Sequence, residues 1–189
     1  QEIAVFKADK LFSEGENEEA LNILLTHFPK TTSQDLKRQI GSMLIETYLK
    51  MSNFTEADFI SLQLAEEFPE DPLSFFNLSK TSYHKGENEK ALEYLKKSAS
   101  LIAQNTPKFI VLPIVDQLVN QNELITAAEA LEIIANLNVN SNLTQKLINI
   151  YYHSGNHKKV ISIAENLLKD NPDDPFLVDV SSSIFEINE

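Results

Sequence analysis

The chain has 189 residues and a formal net charge of -12. That balance argues against a nucleic-acid or anionic-membrane surface, because phosphate attracts clustered Lys and Arg, and no basic run here is longer than a pair, such as Lys96-Lys97 or Lys158-Lys159. Cysteine is absent, which removes disulfides, thiolate metal sites and cysteine nucleophiles together, while 42 % apolar residues suffice to bury a continuous core.

Residues 1–34 open with a helical stripe through Ala4, Ala8 and Leu11, interrupted by Lys7. Gly15 breaks it, and GENEEALNILL (15–25) begins a second stripe through Ala20 and Leu24. Pro29 predicts that this second helix is short. Residues 38–71 repeat the outline with Leu44, Ile45 and Tyr48, then SNFTEADFISLQLA (52–65) with Ala57, Leu64 and Ala65. Residues 72–105 carry Phe75, Leu78 and Tyr83, a break at Gly86, then Ala91, Leu95, Ser98 and Ala99. Asp71-Pro72 places a capping acceptor before a proline at the first helical position.

Residues 108–140 begin with KFIVLPIVDQLV, whose β-branched side chains suit a strand. Val111, Ile114, Val115 and Leu118 nevertheless recur at helical spacing, and Thr106-Pro107 reads as a helix start. The expectation is a helix with a kink or late start at Pro113, since an internal proline costs about 3 kcal/mol. Its second helix spans Thr126 to Leu137, through Ala127, Leu131, Ile134 and Ala135. Residues 141–174 carry Leu147, Ile148 and Tyr151, then GNHKKVISIAENLL (155–168) with Val160, Ala164, Leu167 and Leu168. Residues 175–189, with Val178 and Phe185 at first-helix spacing, allow one helix more.

Aligned on Ala20, Ala57, Ala91, Ala127 and Val160, the five units are spaced by 37, 34, 36 and 33 residues. Small residues there let paired helices approach closely. No Gly/Ser linker divides the units, and none buries its apolar face alone, so the chain is expected to behave as a single domain. In period and outline the sequence resembles the tetratricopeptide repeat (TPR) family, whose 34-residue unit is a helix-turn-helix. The resemblance implies an all-α, right-handed solenoid of about five repeats plus a C-terminal helix.

The resemblance further implies that first helices line a concave surface. Carried onto this sequence, that surface gathers Phe12, Met43, Leu49, Phe76, Lys80, Tyr83, Leu112, Asp116, Val119, Asn149 and Tyr152, with Val5, Phe6, Asp9, Glu46 and Lys146 beside them. One position is apolar or aromatic in all five units: Phe12, Leu49, Tyr83, Val119 and Tyr152. It either packs between neighbouring helices or forms a greasy channel for an amphipathic helix or apolar peptide. The family's clamp for a C-terminal carboxylate is not reproduced. Its five positions fall on Val5, Asp9, Met43, Leu73 and Asn77, or on Ser42, Glu46, Asn77, Phe109 and Pro113, or on Phe76, Lys80, Pro113, Asn142 and Lys146.

Reactive constellations are hard to find. His27, His84, His153 and His157 lack zinc spacing, and no phosphate-cradling glycine motif or GxSxG occurs. Acidic residues at the turn-to-helix starts suit the helix dipole. Three N-glycosylation patterns (Asn53, Asn77, Asn142) occur where about two would arise by chance in an asparagine-rich chain, and they carry weight only in a chain secreted from a eukaryotic cell. No catalytic residue, cofactor or metal is expected.

The function this points to is a non-catalytic scaffold for a protein or peptide partner, with neither nucleic-acid binding nor membrane insertion. Alternatives are a structural segment of a larger assembly or secretion apparatus, oligomerising through its repeat ends, or the docking part of an enzyme whose catalytic domain lies elsewhere. A lipid-like ligand is a further occupant for the channel. The first residue is not Met, which favours an excised piece of a longer chain over a processed form. A soluble, cytoplasmic setting is favoured over a periplasmic or secreted one.

Overall fold

Helices begin where the sequence supplies a break or a cap, and each buries the stripe its spacing defines. In the computed structural model the described residues are 2–135 and 141–187, and they contain no strand. Packing divides the chain into two compact units, Gln1–Leu101 and Ile102–Glu189. The first holds α1 (Glu2–Glu14), α2 (Asn17–His27) with a 3-10 turn at Phe28–Lys30, α3 (Gln34–Lys50), α4 (Phe54–Glu67), α5 (Pro72–His84) and α6 (Asn88–Ser100). The second holds α7 (Lys108–Asn120), α8 (Leu124–Ile134), α9 (Asn142–His153), α10 (His157–Leu168) and α11 (Pro175–Ile187).

Within each unit consecutive helices pack as antiparallel pairs on their neighbours. The core of the first unit runs through Leu24, Ile40, Leu44, Ile45 and Leu64, all at most 1 % exposed. In the second it runs through Ile114, Leu118, Leu131, Leu147 and Ile148, all wholly buried. The five aligned small residues sit between paired helices, Ala91 at 5 % exposure and the other four at 0 %. In the third repeat small hydroxyls also bridge the pair: Ser79 donates to the Ala91 carbonyl and Ser98 to that of Pro72, both at 2.7 Å.

Every hairpin turns through one left-handed residue, five positions before the aligned small one: Gly15, Ser52, Gly86, Asn122 and Gly155, with φ between 60 and 86°. The next amide then reaches back to a carbonyl of the preceding helix: Glu16 to Leu11, Asn53 to Tyr48, Glu87 to Ser82, Glu123 to Leu118 and Asn156 to Tyr151, at 2.9–3.0 Å. This closure satisfies helix-end carbonyls and fixes each hairpin's angle.

The segment open to a strand reading is helical from Lys108, so no late start occurs at Pro113. Val111, Ile114, Val115 and Leu118 are all wholly buried. At about 1.5–3 kcal/mol each, they outweigh the roughly 3 kcal/mol that Pro113 costs. Helix α8 starts at Leu124, two residues before the expected Thr126, and Ala135 is already extended. The expected end at Leu137 lies outside the described residues. Helix α2 is short, at 11 residues, and Pro29 sits in the 3-10 turn that ends it.

Candidate interaction surface

In the first unit α1, α3 and α5 lie in sequence, each first helix touching the next. On them Phe12, Met43 and Leu49 are half-buried, and Lys50 Nζ sits 3.3 Å from the centre of the Phe12 ring. Val5 and Phe76 are buried, so neither ring nor methyls stand open. Lys80 covers Phe76, with Nζ 5.2 Å from the ring centre, and pairs with Glu46 on the preceding first helix at 3.1 Å. Tyr83 is 53 % exposed, edge-on to His84, which stacks on Phe54. Below them Asn77 is wholly buried and donates to Ser42 Oγ at 3.0 Å, while its Oδ1 has no partner among the described residues.

The second unit opens a cleft of about 660 Å³ between the first helices α7 and α9 and the turn into α8. Asp116, Val119 and Asn149 line it, and Lys146 forms an ion pair with Asp116 across it. The floor is Val119, Leu124 and Ile150, and the rim carries carboxamides from Asn122, Asn142, Gln145 and Asn149. Because the lysine and the aspartate neutralise each other, the cleft is not strongly charged. Leu112 and Tyr152 are half-buried outside the lining. The Tyr152 ring lies 5.7 Å from both His153 and His157.

Helices α8, α9 and α10 are joined by a partly exposed network. Tyr151 Oη donates to Glu132 Oε2 at 2.6 Å, and Lys159 pairs with the same carboxylate at 2.9 Å. Burial drives the Tyr151 hydroxyl far above its ordinary range, and its bond to Glu132 adds to this. For Glu132 burial acts upward, but the Tyr151 and Lys159 bonds outweigh it and hold the carboxyl below its ordinary value. In the first unit Lys85 is held above its ordinary value by its 2.7 Å bond to Asp58, against the effect of burial. These groups tie helices together; they do not converge on a point where a substrate could react. No group of three or more metal-binding side chains occurs among the described residues.

Two crystal structures share this fold. A thermophilic TPR protein from Thermus thermophilus superposes with a TM-score of 0.52 at 18 % identity, over 97 % of this chain and 98 % of that one. A tetratricopeptide repeat protein from Parabacteroides merdae gives 0.51 at 15 % identity, over 97 % and 72 %. The chain has the TPR fold. No protein-family model and no curated protein matches its sequence.

Reading TPR positions from sequence missed Leu124, Gln145 and Ile150 in the cleft. The first is the opening residue of a second helix, α8, which the first-helix reading leaves out. The other two lie on α9, where Gln145 has a polar side chain at a position held by Val5, Phe76 and Leu112 in three of the other repeats and by Ser42 in the second. Phe109, 75 % exposed on α7, was also passed over as a member of a β-rich run. Among the described residues no helix is long and apolar enough to cross a membrane.

Proposed function

We propose that the chain is a non-catalytic protein-interaction scaffold that holds a peptide or helix of a partner against the concave face of its first helices, without a carboxylate clamp. The observation that carries this reading is the cleft in the second unit, where apolar floor and hydrogen-bonding rim meet at peptide dimensions. Exposed Tyr83 and Phe109 on first helices support it, since aromatic side chains left in water are anchors in want of a partner. The cross-repeat pairs, Lys80–Glu46 in the first unit and Lys146–Asp116 in the second, each cancel a charge on the first helices and bear on which partners are rejected. Its test is partner capture by the wild type against the Tyr83→Ala/Tyr152→Ala variant. Capture should fall while helix content stays constant; unchanged capture would move the site elsewhere.

A second reading, a segment of a larger assembly, is favoured by α1. Ile3 is 86 % exposed, whereas the equivalent Ile40 and Ser74 are at most 1 % exposed. Sedimentation over a concentration series separates the two, because stacking through that face is concentration-dependent and groove binding is not.

A further inference from the structure

Helix α4 carries a second apolar surface that the first-helix reading does not use. Phe59 is 67 % exposed and Leu62 44 % exposed, three residues apart and therefore on one face. The repeat supplies its own control for what this position needs. Where α4 has Phe59, the other second helices have Asn22, Glu93, Glu129 and Ser162. Where it has Leu62, they have Leu25, Lys96, Glu132 and Glu165. Packing a TPR hairpin thus requires no aromatic ring at the first place and no apolar group at the second.

The charges around the pair say what covers it. Glu56 and Glu66 flank Phe59 and Leu62 along the same helix, and both are exposed. The other two acids of that surface are already matched, Asp58 by Lys85 and Glu67 by Lys37. Glu56 and Glu66 have no cationic partner among the described residues. An apolar centre with an unmatched carboxylate towards each end, about 15 Å apart at helical rise, suits a helix with the reverse pattern. A second copy of this face would set carboxylate against carboxylate, and the net charge of -12 repels anionic surfaces.

We propose that α4 is a docking face for a basic amphipathic helix, with Phe59 and Leu62 as apolar anchors and Glu56 and Glu66 as the charges that orient it. The scaffold then holds two partners at once, one on its first helices and one on α4.

The test uses a fluorescein-labelled helical peptide of about four turns, leucine on one face and lysine on the other, followed by anisotropy. The variant Phe59→Glu/Leu62→Lys borrows the residues the third repeat has at these places and leaves net charge unchanged. General attraction between basic peptide and acidic protein is therefore preserved, and both sites are exposed enough for folding to survive. Binding should weaken at least about tenfold in this variant. It should lose part of its salt dependence in Glu56→Gln/Glu66→Gln and stay as in the wild type in Tyr83→Ala/Tyr152→Ala. Equal binding by wild type and Phe59→Glu/Leu62→Lys overturns the proposal. So does loss in the tyrosine variant alone, which places the peptide on the first helices, or a wild-type dimer that Phe59→Glu/Leu62→Lys dissociates, which makes a second copy the occupant.

Discussion

Tyr151 and Glu132 share a 2.6 Å hydrogen bond from α9 to α8, at a point where the tyrosine is 2 % exposed. Because Glu132 titrates below its ordinary value in the folded chain, the bond stabilises fully above about pH 4.3, the unfolded carboxyl range. Its contribution is lost as pH falls through the depressed folded value. Glu132→Gln should lower stability at pH 6 by about 1 kcal/mol, the modest end for a charged bond, because a third of the side chain is exposed. The deficit should shrink as pH falls below that range. Thermal melts across that range check it, and a deficit independent of pH would mean packing, not charge, is lost.

The five left-handed turn residues offer a matched set. Gly15, Gly86 and Gly155 reach positive φ freely, whereas Ser52, at φ 60°, carries a Cβ there. Ser52→Gly should stabilise by about 0.5–1 kcal/mol, the relief of strain less the entropy a glycine adds to the unfolded chain. Asn122→Gly should gain less, because asparagine tolerates this conformation. Gly86→Ala should cost about 1 kcal/mol although nothing lies within 4 Å of the added methyl. Denaturant midpoints of the three variants test the ordering.

The fold was legible because a repeat states its pattern five times. Ala20, Ala57, Ala91, Ala127 and Val160 fall on the packed faces that their spacing gives them. Even the segment around Pro113 yields to that register, since Ile114 and Leu118 follow the helical period whatever their β preference. The interaction surface was less legible. Phe76 and Tyr83 look alike as aromatic first-helix residues, yet one is 9 % exposed and the other 53 %. What separates them is a lysine, Lys80, that folds over the first ring, and no spacing rule encodes that. The cleft's Leu124 escaped because it opens α8, a second helix, and position along a first helix says nothing of such neighbours.

Overpacking tests the pair interfaces directly. Ala91 and Ala127 lie against the partner helix of their own hairpins, so Ala91→Leu and Ala127→Leu should each cost about 1–3 kcal/mol. The two changes fall in different compact units, Gln1–Leu101 and Ile102–Glu189. Their effects should therefore add in the double variant. Equilibrium unfolding of the two single variants and the double one provides the check.

Gly41 of α3 packs directly against Leu64 of α4. A methyl added at Gly41 would come within 2.7 Å of Leu64 Cδ1 and 2.9 Å of Cδ2. Alanine is worth about 1 kcal/mol more than glycine in a helix interior, so propensity and clash oppose each other. The leucine is itself 0 % exposed and has little room to retreat, so the clash should win and Gly41→Ala should destabilise by about 1–2 kcal/mol. Leu64→Ala alone should cost about 2–5 kcal/mol by opening a cavity. Combined, the added methyl fills part of that cavity without conflict, and the double variant should be more stable than Leu64→Ala. A double-mutant cycle measured by denaturant unfolding should therefore give a favourable coupling of about 1 kcal/mol or more; additivity would mean the two helices adjust their spacing freely.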